Sequence, residues 1–358
     1  MGLSLQVLPE WQAVAAQTGE DPGLTMIMGA ADTGKTTLAR FLLASWRQRG
    51  LSVAYVDGDV GQSTLGPPTT IGLQIYPPDP DVGGRDQVAL RFVGSTSPHG
   101  HILPLLTGLH QLVEQARGAQ VAAILVDTTG LIHGAAGRDL KYAKVDLLRP
   151  RHLLVLARGD EMEGIVRLCT FRQDLLLHRL PVAPQAFAKP REGRRAFRER
   201  RFREYFQDAV LQSFPLKAVG MQGTWLGKGR RLSSQDLTFA ARQLRTPVLY
   251  GERGQEEVHL LVSADYSSEE LFRLPTHLGV REIRIQEVEQ LRGVILGLHD
   301  GRNETLALGL LQELDCKEES VKVLTPLRDV GQIRLLHWGT LRIDPSGKEL
   351  GRYPPPHP

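Results

Sequence analysis

The stretch Gly29-Ala30-Ala31-Asp32-Thr33-Gly34-Lys35-Thr36 has the residue types and spacing that hold a chain of phosphates. Gly29 and Gly34 let the backbone curl so that successive N–H groups face inward, and a following helix adds its positive N-terminal end. Lys35 is then placed to reach the β- and γ-phosphates, and the Thr36 hydroxyl to ligate Mg²⁺. The nucleotide-binding set read from this is Gly29, Ala30, Ala31, Asp32, Thr33, Gly34, Lys35, Thr36 and Thr37. The flanks agree: an apolar run from Leu24 to Met28 precedes the loop, and a helical pattern from Thr37 to Leu43 follows it. Strand, loop and helix in that order are the context this motif requires.

Further polar groups stand beyond other apolar runs. Asp57-Gly58-Asp59-Val60-Gly61-Gln62 follows Leu51 to Val56 and supplies two acids. One can orient Mg²⁺ while the other takes a proton from a phosphate acceptor; equally, both can serve only the metal of an ATPase. Gln62 suits either a water or a phosphate. Asp127-Thr128-Thr129-Gly130 follows Val121 to Val126, and its Thr128, Thr129 and Gly130 suit either an acceptor group or plain loop hydrogen bonds. His99, His101 and His133 read as loop or structural histidines.

A basic run occupies Lys189 to Arg203, with Arg194, Arg198 and Arg201 on one helical face by three-to-four spacing. Such a run is either a solvated face or a lid over phosphates, and the upstream phosphate loop favours the lid.

These groups need a scaffold, and the chain supplies one. Apolar runs of strand length alternate with helical patterns over residues 24–156, which predicts an α/β fold. Its core is a P-loop, doubly wound, mostly parallel sheet with helices on both faces. Ligands bind beyond the carboxyl ends of such strands, so the polar stretches 57–63, 94–101 and 127–130 are expected to converge on one edge. Residues 65–86, rich in Pro and Gly, read as a long surface loop or hairpin. Residues 1–23 form a short N-terminal extension, 24–215 the P-loop domain with its lid at about 189–206, and 216–358 a β-rich C-terminal domain with a helix near Ser234 to Gln243.

Composition limits the alternatives. The 358 residues suffice for two domains, no apolar run has membrane-spanning length, and no secretory signal opens the chain, so a cytoplasmic protein without a membrane role is expected. Two distant cysteines, Cys169 and Cys316, suggest neither a disulfide framework nor a zinc site. A net charge of +3 is too small to argue for nucleic acid by itself. After the run 152–156 stands Ala157-Arg158-Gly159-Asp160, not a guanine-reading Asn-Lys-x-Asp segment, which favours ATP.

Taken in order, the phosphate loop, Val56-Asp57-Gly58-Asp59-Val60-Gly61-Gln62, Gly94-x-Thr96-Ser97-Pro98, Asp127-Thr128-Thr129-Gly130 and the Arg194 to Phe206 segment resemble the polynucleotide 5′-hydroxyl kinases of the pre-mRNA cleavage-complex and pre-rRNA-processing type. The resemblance covers about residues 26–206. It implies transfer of the ATP γ-phosphate, with Mg²⁺, to the 5′-OH end of RNA or DNA. It also implies that Asp59 is the general base and that Asp57 supports the metal with Thr36. Arg198, with Arg194, Arg195 and Arg201, would form the lid, and Thr128 to Leu131 the clasp on the acceptor, with Gln62 and Thr96 nearby. The family often has Trp where Leu131 stands here, so stacking of an acceptor base at that point is not implied. The large N-terminal domain of some relatives is missing, which points to a free-standing enzyme. A nucleotide switch that binds a protein through the β-rich domain is the alternative.

Overall fold

The computed structural model describes residues 7–79, 81, 88–188, 190–267, 269 and 271–353. Lys189 of the basic run, most of 80–86 and the tail 354–358 lie outside the described residues. The chain divides into two compact units, Met1–Arg198 and Glu199–Pro358.

The first unit contains, in order, α1 (Pro9–Glu20), β1 (Leu24–Gly29), α2 (Lys35–Gln48), β2 (Val53–Gly58), β3 (Thr70–Tyr76), β4 (Ala89–Phe92), α3 (Ile102–Gly118), β5 (Ala123–Thr128), α4 (Gly134–Leu148), β6 (His152–Ala157), α5 (Glu163–Cys169) and β7 (Leu176–Pro181). The helix α6 (Arg191–Phe206) crosses the boundary. The strands lie in the order β4-β3-β2-β5-β1-β6-β7, with β2, β5, β1, β6 and β7 parallel. This is the mostly parallel doubly wound sheet that the alternation of strands and helices predicts.

Side-chain alternation along the strands builds two cores, because successive residues point to opposite faces. Met26, Met28, Ala54, Val56, Ile124 and Val126 pack with Leu105, Leu109 and Leu112 of α3 and Leu140 and Val145 of α4. Ile27, Val53, Tyr55, Leu125 and Leu154 pack on the other face with Trp11 of α1 and Leu38, Leu42 and Trp46 of α2. Parallel strands covered on both faces must be apolar throughout, and β1, β2 and β5 are buried at every position.

The region 65–86 contains more than a surface loop. β3 pairs antiparallel with β2 and with β4, and its first residues Thr70 and Ile71 are fully buried. The prolines that suggest a loop lie outside the strand, at Pro67, Pro68, Pro77 and Pro78, where their missing N–H groups cost no ladder bond.

The second unit is strand-rich. It contains β8 (Val210–Pro215), β9 (Gly220–Gln222), β10 (Arg230–Arg231), α7 (Ser234–Leu244), β11 (Val248–Arg253), β12 (Glu257–Val262), α8 (Arg273–Leu278), β13 (Glu282–Glu287), β14 (Val294–His299), β15 (Thr305–Asp315), β16 (Ser320–Thr325), β17 (Leu335–Ile343) and β18 (Glu349–Arg352). One sheet pairs β18, β17, β14, β15, β16 and β8 antiparallel, with β9 parallel to β17. A smaller sheet has the order β10-β11-β12-β13, with β12 and β13 parallel. Ser233 caps α7 by accepting the Asp236 N–H at 3.1 Å. Among the described residues no helix is long and apolar enough to cross a membrane.

Candidate active site

The phosphate loop joins β1 to α2. Gly34 caps that helix at φ +87°, a left-handed conformation that side chains with a Cβ resist. Thr33 is buried and donates its hydroxyl to the Ala30 carbonyl at 3.0 Å, which tightens the turn. Ala31 is exposed at the tip, and Thr37 is half-buried in the first turn of α2. Lys35 is 6% exposed and donates to the same Ala30 carbonyl at 2.6 Å. Burial holds its ammonium below the ordinary lysine range, while Asp127, Asp59 and Asp32 pull it back.

Parallel pairing sets Asp57 of β2 beside Asp127 of β5, and β5 lies next to β1, which carries the loop. The acids therefore emerge at the phosphate loop, but with different tasks. Asp57, expected to support a metal, is 1% exposed and surrounded by its own loop. One oxygen accepts the Asp59 N–H at 3.1 Å; the other accepts the Thr64 hydroxyl at 2.9 Å and the Thr64 N–H. Burial raises its pKa, against the pull of those donors. Asp57 thus knots the loop that presents Asp59.

Asp59 is half-buried. Its Oδ1 accepts the N–H groups of Gly61 at 2.9 Å and Gln62 at 3.0 Å, and Oδ2 has no hydrogen-bond partner among the described residues. One oxygen fixes the carboxylate and the other is open to a proton. Gly61 backs onto the Thr96 carbonyl, which would stand 2.8 Å from any Cβ there, so Thr96 borders the same loop. Gln62 donates its amide to Gly61 O at 3.0 Å and to Arg194 O at 3.4 Å.

Asp127 is a functional residue that the sequence reading passed over, treating it only as the start of Asp-Thr-Thr-Gly. Its Oδ2 accepts the Thr36 hydroxyl at 2.6 Å and its Oδ1 the Thr128 N–H at 2.8 Å. Burial, followed by the charge of Asp57, raises its pKa to about 6, while Lys35 and the Thr36 hydroxyl lower it. A hydroxyl and a carboxylate oxygen side by side are the hard donors that Mg²⁺ prefers. Among the described residues no three His, Cys, Asp or Glu side chains form a metal cage.

The segment after β5 corrects one expectation. Thr128 is fully buried, and its hydroxyl donates to Ile27 O at 2.8 Å and accepts the Lys141 ammonium at 2.8 Å, so it is not open to an acceptor. Lys141 also donates to the Thr129 carbonyl. Thr129 is 3% exposed, and its buried hydroxyl has no partner among the described residues, which leaves its hydrogen-bonding capacity unspent. A Cβ on Gly130 would stand 2.5 Å from the Ala31 nitrogen, so only glycine lets this segment lean on the phosphate loop.

Arg194, near the start of α6, pairs with Asp32 at 3.0 Å and so reaches the phosphate loop. Arg195 is exposed and Arg198 half-buried on the same helix. Arg201 belongs to the second unit, where it faces Glu204 at 3.8 Å. Arg158, in the segment read only for what it lacked, donates to Asp32 O at 2.7 Å and Ala186 O at 2.9 Å and steadies the back of the loop. His99 and His133 are exposed.

Comparison with known proteins identifies the family. Residues 29–208 match the family described as mRNA cleavage and polyadenylation factor CLP1 P-loop. The chain is 30% identical over 339 residues to a polyribonucleotide 5′-hydroxyl kinase of Methanocaldococcus jannaschii, covering 93% of this chain and 90% of the relative. It is 32% identical over 331 residues to the enzyme of that name from Thermococcus kodakarensis, covering 92% and 91%. The solved wild-type Clp1p–Pcf11p complex shares the fold with a TM-score of 0.58 at 14% identity, over 94% of this chain and 80% of that one. With its phosphate loop, acid loop and basic helix inside the matched region, the chain belongs to the CLP1 P-loop family, among the polyribonucleotide 5′-hydroxyl kinases.

Proposed function

We propose that this protein transfers the γ-phosphate of ATP to the 5′-hydroxyl end of RNA, with DNA ends as the second acceptor to test. The observation that carries the reading is Asp59: one oxygen is fixed by two backbone N–H groups, the other is unengaged, and the residue stands beside the phosphate loop. In that position Oδ2 takes the proton of the acceptor hydroxyl as it attacks. The archaeal relatives named polyribonucleotide 5′-hydroxyl kinase support RNA as the acceptor.

The geometry supports the remaining roles in this reading. Lys35 leaves Ala30 O for the β- and γ-phosphates. Thr36 and Asp127 would hold Mg²⁺, which when bound neutralises charge on the triphosphate; Asp57 acts through the loop it knots. Thr129 and the Gly130 backbone grip the acceptor end, with Gln62 and Thr96 at its border. Arg198, supported by Arg194 and Arg195, neutralises the moving phosphoryl group, because guanidinium forks suit phosphate oxygens. The similar Clp1p was solved with Pcf11p, which supports a protein partner over the free-standing action expected from the sequence.

The test is label transfer from γ-labelled ATP to 5′-OH RNA and DNA oligonucleotides, with Lys35→Ala as the blank. Label on the 5′ end with wild type and none with the blank is the expected outcome. Nucleotide-dependent binding of a protein with no labelled acceptor would replace the kinase by the switch reading.

Lys141 supplies a second expectation. Its ammonium pins the acceptor-gripping segment from beneath, through Thr128 and Thr129. Lys141→Met should raise KM for the oligonucleotide about tenfold while KM for ATP changes less than about twofold. Initial rates with each substrate varied in turn check this, and equal shifts in both constants would reduce Lys141 to a fold-supporting residue.

A further inference from the structure

Two lysines of α4, Lys141 and Lys144, are both 0% exposed. Lys141 spends its ammonium on Thr128 and Thr129. Lys144 stands one turn further on and its Nζ makes no hydrogen bond among the described residues. A buried ammonium without hydrogen bonds is costly unless nearby opposite charge compensates it. The compensating charges are Asp59 and Asp127, which stabilise its protonated form although burial brings its pKa down to about 8.

The two acids that Lys144 compensates, Asp59 and Asp127, would by themselves attract a divalent cation whether or not a nucleotide is present. Lys35 is drawn to Ala30 O, and Lys141 is committed to the clasp. We propose that Lys144 is a positioning residue that serves as the resident counter-cation of this acid cluster, keeping divalent metal out until the triphosphate brings it in. The inference rests on the reading above, in which Thr36 and Asp127 receive the metal. A fixed positive charge repels a free divalent ion but is outweighed once the triphosphate adds its negative charges. Loading is thereby coupled: the cation and the nucleotide arrive together.

The consequence has opposite signs for two ligands, which general damage to the fold would not produce. Removing the charge should tighten metal and weaken metal-free nucleotide. Mn²⁺ binding to the full nucleotide-free chain at pH 7, read by electron paramagnetic resonance of the free ion, is the test. Lys144→Met should bind Mn²⁺ about tenfold or more tighter than wild type. Its affinity for ATP in the presence of a chelator should fall. Lys144→Arg, which keeps the charge, should behave as wild type, and adding Asp127→Asn to Lys144→Met should remove the gain. Lys144→Ala serves as a second neutral variant if the methionine protein does not fold. Unchanged or weaker Mn²⁺ binding in the folded neutral variant overturns the proposal. Because no turnover is measured, tighter metal binding together with absent label transfer would leave this inference standing and remove the kinase reading.

Discussion

Asp59→Asn is expected to lower the rate of phosphoryl transfer by about two to four orders of magnitude, the usual contribution of a positioned general base. The asparagine carbonyl can keep the place of Oδ1 and go on accepting the Gly61 and Gln62 N–H groups, so the loop survives. What changes is the second position. The open Oδ2 becomes an amide that donates and cannot take the acceptor's proton. The loss should appear in kcat under single-turnover conditions, with ATP binding much less affected, because the nucleotide is held by the phosphate loop on the other side. Asp57→Asn, by contrast, disturbs the carboxylate that gathers the Asp59 and Thr64 donors. It should impair both constants through loss of loop order. Single-turnover rates for Asp59→Asn within about threefold of wild type, with the Lys35→Ala blank silent, would exclude Asp59 as the base.

The contrast between Asp57 and Asp59 shows where sequence reasoning reaches its limit. Both acids follow the same strand, and their convergence on the phosphate loop was legible because strand order and period dictate which edge carries which residues. Which oxygen is consumed by which N–H is set by the turn geometry of residues 59–65, and spacing alone does not encode it. Asp127 was legible in place but not in task. Its strand neighbours β1 in the sheet, so its carboxylate lies beside Thr36, a long-range fact that becomes visible only with the strand order.

The lysines had a signal that went unread. Gly137, Leu140, Lys141, Lys144, Val145 and Leu148 are the buried residues of α4 and recur at helical spacing. Two lysines on an otherwise apolar stripe are out of place on a structural helix, and that mismatch is the signal. β3 was obscured in the opposite way, since flanking prolines outweighed the short apolar run at Thr70 to Leu73. In the second unit β12 and β13 are parallel partners, with α8 lying between them in the chain. Short alternating runs gave no means of separating that arrangement from a simple antiparallel meander.

Asp127→Asn is expected to make the nucleotide-free protein more stable while impairing its use of nucleotide. The pKa of Asp127 is raised to about 6 from an ordinary carboxylate value of 3.8, by burial first and the charge of Asp57 second. Between those values the folded protein holds more protons than the unfolded chain, so its stability falls as pH rises from about 4 to about 6 and is not regained above that. The net penalty at neutral pH, with the attraction of Lys35 already included, is on the order of 3 kcal/mol at 1.36 kcal/mol per pKa unit. Asparagine escapes it. The amide carbonyl can accept the Thr128 N–H, and the amide nitrogen can donate to the Thr36 hydroxyl, so both polar neighbours keep a partner. Urea unfolding across pH 4 to 8, without nucleotide, should show the advantage of the variant growing up to about pH 6 to 7 and then levelling. Under the same conditions its affinity for ATP with Mg²⁺ should fall about tenfold or more, because the carboxylate beside Thr36 is gone. A variant less stable than wild type at pH 7, or a difference that does not vary with pH, would mean that Asp127 is not a strained acid kept for metal and nucleotide. The opposing signs follow from one cause: a charge held away from water beside a second acid is unfavourable until the ligand that needs it arrives.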